Sequence, residues 1–371
     1  MSAKRMTLRQ RIETVLAGGQ PDVMAWYGDL TYWHASHEQI GDIPERWRGA
    51  AGRSRMHREL GVGEYVPGCC AFDVREGPDV RVTHSRDGDV RTVTYQTPAG
   101  TLTERWQYSA PSYSWGHIEF PVKTPEDLGV VRHIYRHRQY MPCPDTVVRL
   151  EKELAEHGLP VIATHASPMA EMYKHWIGVI QLSYMLSDAP DAIAETFHVM
   201  AEAQAPMWQI TAESECGYVM LCENFTAEGM GGLFDAYFRA FLGEKIALLH
   251  SRGKKVLCHI DGTLRGLAEK LPTIGVDCLD AVTPKPVGDV GMDELRQLVG
   301  PAVYILGGLP GAMFAPPFRS RDMERHVMEI IRIHKDSGRF MFGVADQVPP
   351  NGDLELVRLV TRLVEEFGRY G

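Results

Sequence analysis

The segment from Lys254 to Gly308 limits the folds open to this chain more than any other. Three short apolar runs, at 256–258, 276–282 and 303–306, are separated by helix-length stretches at 263–271 and 292–299. Apolar runs too short for helices, each followed by a helix-length stretch, build βα units around a parallel sheet. Polar residues stand where the runs end: His259 and Asp261, then Thr283 and Lys285, then Gly307 and Gly308. In parallel α/β folds the chemistry collects at the carboxyl ends of strands. The functional reading therefore starts at His259-Ile260-Asp261-Gly262.

The same logic extends along the chain. Strands are expected at 22–29, 161–165, 217–222 and 339–343, ending near Asp29, His165, Glu223-Asn224 and Asp346-Gln347. Helices are expected at 7–17, 145–157, 169–186, 191–213, 233–251, 320–337 and 354–370, and Thr124-Pro125 reads as a helix start. Residues 38–80 read as irregular. Period-two alternation around Val80, Val90 and Leu102, broken by Asp87-Gly88 and Ala99-Gly100, reads as an antiparallel excursion of two or three strands over 79–108. The expected architecture is α/β: a (β/α)8 TIM barrel in one domain, 1–371, with this hairpin insertion.

Charge and composition narrow the partners. A net charge of −9 argues against nucleic acid, which needs a basic surface. No run approaches the roughly 20 apolar residues that span a bilayer, and the amphipathic N-terminus is no signal peptide. Seven cysteines without a CxxC spacing suit a reducing cytoplasm. The vicinal Cys69-Cys70 pair lacks flanking ligands at metal-site spacing.

The polar strand ends form a constellation. His259 and Asp261, two apart, point to one side of an extended strand, which suits two ligands of one metal; Glu223 and Asp346 could complete the set. The competing reading is a hydrogen-bonded network that holds the strand ends. Tyr32, Trp33, His34 and His37 line a pocket or form a partly buried connection. Gly307-Gly308 admits a ligand close to the backbone or makes a strand-exit turn.

Eight ordered segments, among them TPAGTLTERW, FPVKTPEDL, HASPMAEMYKHWIG, GKKVLCHIDGTL and GVADQVPPN, resemble the uroporphyrinogen decarboxylase superfamily. Its members include true decarboxylases and corrinoid-linked methyltransferases on a (β/α)8 barrel. The likeness is strongest from about residue 160 onward. Two departures shape what it implies. The true decarboxylases' arginine-rich N-terminal motif is replaced by Ala25-Trp26-Tyr27-Gly28-Asp29-Leu30, which cannot pair with many carboxylates. The thiol-methylating branch has His-x-Cys-Gly where this chain has His259-Ile260-Asp261-Gly262, and a second cysteine near where it has Asp346. Oxygen-rich ligands leave zinc more electrophilic, suited to polarising an oxygen or nitrogen.

The resemblance therefore implies a methyltransferase, a demethylase of a small methoxylated or N-methylated molecule, that passes the methyl group to cobalamin on a partner corrinoid protein. His259, Asp261, Glu223 and Asp346 would hold zinc. Asp29, Glu223, Asn224 and His165 would be catalytic, and Trp26, Tyr27, Tyr32, Trp33 and Lys285 would bind substrate. The alternative is a lyase that decarboxylates a smaller carboxylic acid. There Asp29 would be the general acid, one of His34, His37 or His165 would steady the carboxylate, and Lys285, Arg53 or Arg55 would line the pocket. A third reading is a binding protein that keeps the pocket without the chemistry. Assembly as a homodimer is compatible with each.

Overall fold

The polar strand ends are gathered by a seven-stranded sheet. Its order is Trp26–Tyr27, Phe340–Ala345, Tyr304–Pro310, Cys278–Val282, Lys255–Ile260, Tyr218–Phe225, Ile162–Thr164. The pairings from Trp26–Tyr27 across to Tyr218–Phe225 are parallel. Cys278–Val282, Tyr304–Pro310 and Phe340–Ala345 are buried throughout, as strands covered on both faces must be. The computed structural model describes residues 5–65 and 69–370, which fall into two compact units. The first unit comprises Met1–Cys69, Asp145–Ala163 and Glu215–Gly371.

Amphipathic helices return the chain between strands. Ser320–His334 buries Met323, Val327, Ile330 and Ile331 on one face. Leu8–Leu16 starts at a capping box of Thr7 and Gln10, and it buries Ile12, Val15 and Leu16. Those three join a core cluster fed by successive strands: Ala25, Tyr27, Val161, Met220, Leu257, Cys278, Leu306 and Met341, with Tyr65 beside them. Each large apolar side chain there contributes roughly 1.5–3 kcal/mol.

The residues before Tyr65 bridge the first strand and the segment that leads into Ile162–Thr164. Gly63 N–H donates to Trp26 O (2.9 Å), and Gly28 N–H donates to Gly63 O (3.2 Å). On the other side Glu64 N–H donates to His157 O (3.2 Å), and Leu159 N–H donates to Glu64 O (2.9 Å). A side chain at Gly63 would place its Cβ 2.5 Å from the Tyr27 ring, so only glycine lets this segment lie against the first strand.

Several local expectations are corrected. The first strand is only Trp26–Tyr27, and the segment after it is a helix, Thr31–Ile40. The region read as irregular contains the helix Gly49–Leu60, whose buried face is Gly52, Ser54, Met56, His57 and Leu60. Small and polar residues on that face hide the apolar period. The 263–271 stretch is turns followed by a short 3₁₀ segment, Leu271–Ile274. There the Leu264 and Arg265 N–H groups are taken by the Asp289 carboxylate, and Gly266 sits at φ 84°. Gly307 and Gly308 form neither a ligand approach nor an exit turn. They lie inside Tyr304–Pro310, where a Cβ on Gly307 would stand 2.5 Å from the Val282 nitrogen.

The second unit comprises Cys70–Pro144 and Thr164–Ser214. The antiparallel excursion has four strands in sequence order, Arg81–Asp87, Val90–Thr97, Gly100–Ser109 and Ser114–Glu119, one more than the longest expectation. A second sheet pairs Phe72–Arg75 with Gln139–Pro142. The expected 169–186 helix is broken into Pro168–Glu171, a π turn at Met172–Trp176, and Val179–Asp188 after Gly178 at φ 78°. Among the described residues no helix is long and apolar enough to cross a membrane.

Candidate functional site

A pocket of about 240 Å³ opens within the first unit at the carboxyl ends of its strands. Its apolar lining is Val161, Ile162, Ala163, Met220 and Cys222; its polar lining is Asp29, Tyr65, Asn224, His259, Asp280, Asp346 and Gln347. Two backbone irregularities aim these groups. Between Cys258 and Ile260 the neighbouring strand advances from Leu221 to Phe225, so Cys222, Glu223 and Asn224 bulge out of register. Asn224 takes the left-handed conformation, φ 55°, and its Nδ2 donates to Asp261 Oδ2 at 2.7 Å. A second slip, between Leu279 and Val282, leaves Ala281 at φ 61° beside Asp280. Asp346, just past the last strand, sits at φ 64°. Bulges re-aim side chains next to sites, and left-handed Asn and Asp are the least strained non-glycine choices.

Histidine 259 is the hub. Its Nδ1 lies 2.7 Å from Asp280 Oδ2, and its Nε2 lies 3.7 Å from Asp261 Oδ1. One donor atom from each of His259, Asp261 and Asp346 falls within 4.8 Å of the other two. Asp280 is 1% exposed and also accepts from Tyr65 OH at 3.4 Å. Burial works to lower the His259 pKa, but the Asp280 hydrogen bond and the charges of Asp280, Asp261 and Asp346 prevail and raise it to about 9. Desolvation first, then repulsion from Asp261, lifts the Asp346 carboxyl to about 6, with His259 opposing. The cluster is thus a set of crowded carboxylates around one imidazole, short of positive charge. Across the pocket Asp29 accepts from Thr31 N–H (2.7 Å), Thr31 Oγ1 (2.5 Å) and Gln347 Nε2 (3.0 Å).

The expected residues divide sharply. His259, Asp261, Asp346, Asn224 and Asp29 meet at this site. Glu223 does not join the ligand cluster or the pocket lining. The bulge leaves it fully buried. His165 belongs to the second unit and lines that unit's own pocket with Glu171 and His175. The aromatic wall expected from Trp26, Tyr27, Tyr32 and Trp33 is absent from the lining. Trp26 Nε1 donates to Thr361 Oγ1, Tyr27 is in the core cluster, and Trp33 stacks on His37 while donating to Gly352 O. Lys285 is exposed and outside the lining. Arg53 pairs with the buried Glu64 at 3.1 Å, and Arg55 pairs with Glu59 at 3.0 Å. Two site residues escaped the sequence reading. Asp280 had a signal, a carboxylate inside an otherwise apolar strand; Tyr65, in the supposedly irregular region, had none.

No protein-family model matches the sequence, and no curated protein matches it. Solved structures do match. A methyltransferase from Methanosarcina mazei aligns over 98% of this chain and 99% of its own length, with TM-score 0.60 and 12% identity. The two proteins share a fold. D-psicose 3-epimerase from Clostridium cellulolyticum H10 (TM-score 0.34, 7% identity) covers 61% of this chain and 83% of its own. The YdjI aldolase from Escherichia coli K12 (TM-score 0.25, 14% identity) covers 57% and 82%. Of these three, the Methanosarcina protein is similar along the whole chain.

Proposed function

We propose that this chain is a cytoplasmic (β/α)8 methyltransferase of the uroporphyrinogen decarboxylase superfamily. In this reading Gly63–Tyr65 is the eighth stave, since its bonds run from the first strand to the segment that leads into Ile162–Thr164. The enzyme takes a methyl group from a small N-methylated or methoxylated molecule and hands it to a corrinoid on a partner protein. The observation that carries this reading is the charge of the pocket. Asp29, Asp280 and Asp346 line it, Asp261 adjoins Asp346, and no lysine or arginine is among the described lining residues. The carboxylates outnumber the single imidazole, so a carboxylic-acid substrate would meet net repulsion there, which weighs against the decarboxylase. An ammonium or a metal cation is attracted.

The donor set fits zinc. One imidazole nitrogen and two carboxylates converge, and Asp280 on Nδ1 fixes the tautomer that leaves Nε2 facing them. Zinc there would supply Lewis acidity toward the heteroatom that loses the methyl group. The chain's own residues do the rest. Asn224 orients Asp261 by its 2.7 Å hydrogen bond. Asp29, anchored by Thr31 and Gln347, is a fixed acceptor for a substrate N–H or O–H. Val161, Ile162 and Met220 give the methyl group an apolar bed. The small volume restricts the donor to a compact molecule.

Elemental analysis of wild type and His259→Ala tests the site. Near-stoichiometric zinc lost in the variant supports it. Methyl transfer from a panel of N-methylated and methoxylated donors to cob(I)alamin tests the reaction. Zinc-free wild-type protein with no transfer from any donor overturns the reading.

A further inference from the structure

A second cluster of side chains of metal-ligating type belongs to the other unit and shares no residue with the site above. The helix Leu128–His137 carries His133 and His137 one turn apart. That spacing puts both imidazoles on one face, with ring centroids 4.3 Å apart. Asp79, from the turn that precedes the first strand of the four-stranded sheet, places Oδ2 at 2.8 Å from His133 Nε2. One donor atom from each of the three falls within 4.8 Å of the others.

The surroundings hold this arrangement before any ligand arrives. His137 Nδ1 is 2.9 Å from the His133 carbonyl oxygen, which makes Nδ1 the donor and leaves Nε2 free. The turn bearing Asp79 is clamped on one side by Glu76, paired with Arg138 at 2.6 Å. Within it Val80 N–H donates to Gly77 O at 3.0 Å. Gly77 itself lies so close to the helix that a Cβ there would stand 2.5 Å from His137 Cβ. The histidines occupy the last two turns of the helix, where the backbone dipole favours a cation.

We propose that Asp79, His133 and His137 form a second cation site, for a divalent first-row transition ion such as zinc, nickel or cobalt. Two imidazoles and a carboxylate select that class over magnesium or calcium, which prefer oxygen ligands alone. The ion clips the turn at residues 76–80 to the end of the helix. The remaining coordination positions face solvent, because Asp79 and His137 are exposed.

The test uses the full chain in a His259→Ala background, so that its outcome is independent of the barrel-mouth site. Zinc is added to this protein, to its His133→Gln/His137→Gln derivative and to its Asp79→Asn derivative, and excess ion is removed by gel filtration. One retained equivalent in the background, lost in the double histidine derivative and diminished in Asp79→Asn, is the expected result. Zinc should also raise the thermal midpoint of the background and leave that of the double derivative unmoved. Circular dichroism without metal checks that the derivatives fold, and Asp79→Asn leaves both histidines in place should the double derivative be destabilised. A background protein that retains no zinc, or derivatives that retain as much as their parent, overturn the proposal.

Discussion

Replacing Asp280 by asparagine isolates the part of the site that sequence alone did not reveal. The carboxylate is 1% exposed and lies 2.7 Å from His259 Nδ1. Asparagine has the same shape and still offers an oxygen to Nδ1–H, so the backbone bulge and the packing are kept. What is lost is the charge, and charge-assisted hydrogen bonds are about twice as strong as neutral ones. Carboxylates that orient a ligating histidine are worth about 10–100-fold in metal affinity, or about 1.4–2.7 kcal/mol. Asp280→Asn should therefore weaken zinc binding by that factor, measured by competition with a chromogenic chelator at fixed pH and salt. Tyr65→Phe removes only the 3.4 Å contact to the same carboxylate and should change the affinity far less. If Asp280→Asn binds zinc within about twofold of wild type, Asp280 does not set the tautomer and orientation of His259, and the reasoning fails.

Three further outcomes follow from particular contacts. His334 is fully buried and stacks on Phe340 at 4.5 Å; desolvation, aided by Arg296, pushes its pKa down to about 4 against a backbone hydrogen bond at Met292. The unfolded chain takes up this proton first, so the stability is complete above about pH 6.5 and is lost progressively toward pH 4, by roughly 3 kcal/mol; urea titrations at pH 8 and pH 5 should show a smaller loss in His334→Leu. Gly63→Ala drives a Cβ into the fully buried Tyr27 ring and should destabilise by about 1–3 kcal/mol, read as a drop in urea midpoint. Arg53→Met leaves the 2%-exposed Glu64 without its partner and should cost about 3–5 kcal/mol by the same measurement, whereas Arg55→Met, whose partner Glu59 is on the surface, should shift the midpoint far less.

What could be read from the sequence follows from where burial is two-sided. Strands such as Tyr304–Pro310 and Phe340–Ala345 are covered on both faces, so they appear as continuous apolar runs and are legible without a structure. Gly49–Leu60 packs through glycine, serine and histidine, because a Cβ on Gly52 would meet the Trp47 carbonyl carbon at 2.1 Å. Close approach of backbones replaces apolar bulk there, and hydropathy cannot report it. The same limit hid the Gly63–Tyr65 segment, whose ties to Trp26 and Gly28 and to His157 and Leu159 are main-chain bonds.

At the site the spacing argument succeeded where the strand is regular and failed where it is not. His259 and Asp261 are two apart on an extended strand end, and their side chains do converge. Glu223 and Asn224 were both expected at the site, but the bulge at Cys222–Asn224 separates them, burying one and turning the other onto Asp261. Register is set by pairing with the next strand, which no single segment encodes. The Asp280 bulge has the same origin, and the carboxylate lies within reach of both His259 and Tyr65. A charged residue in a strand that is otherwise apolar must have a partner, because an unpaired buried carboxylate is too costly to keep. Asp280 could thus have been flagged as belonging to some polar network from its neighbours Leu279 and Ala281 alone. That its partner is His259 depends on the parallel register that sets His259 directly against Asp280, and only the folded sheet supplies it.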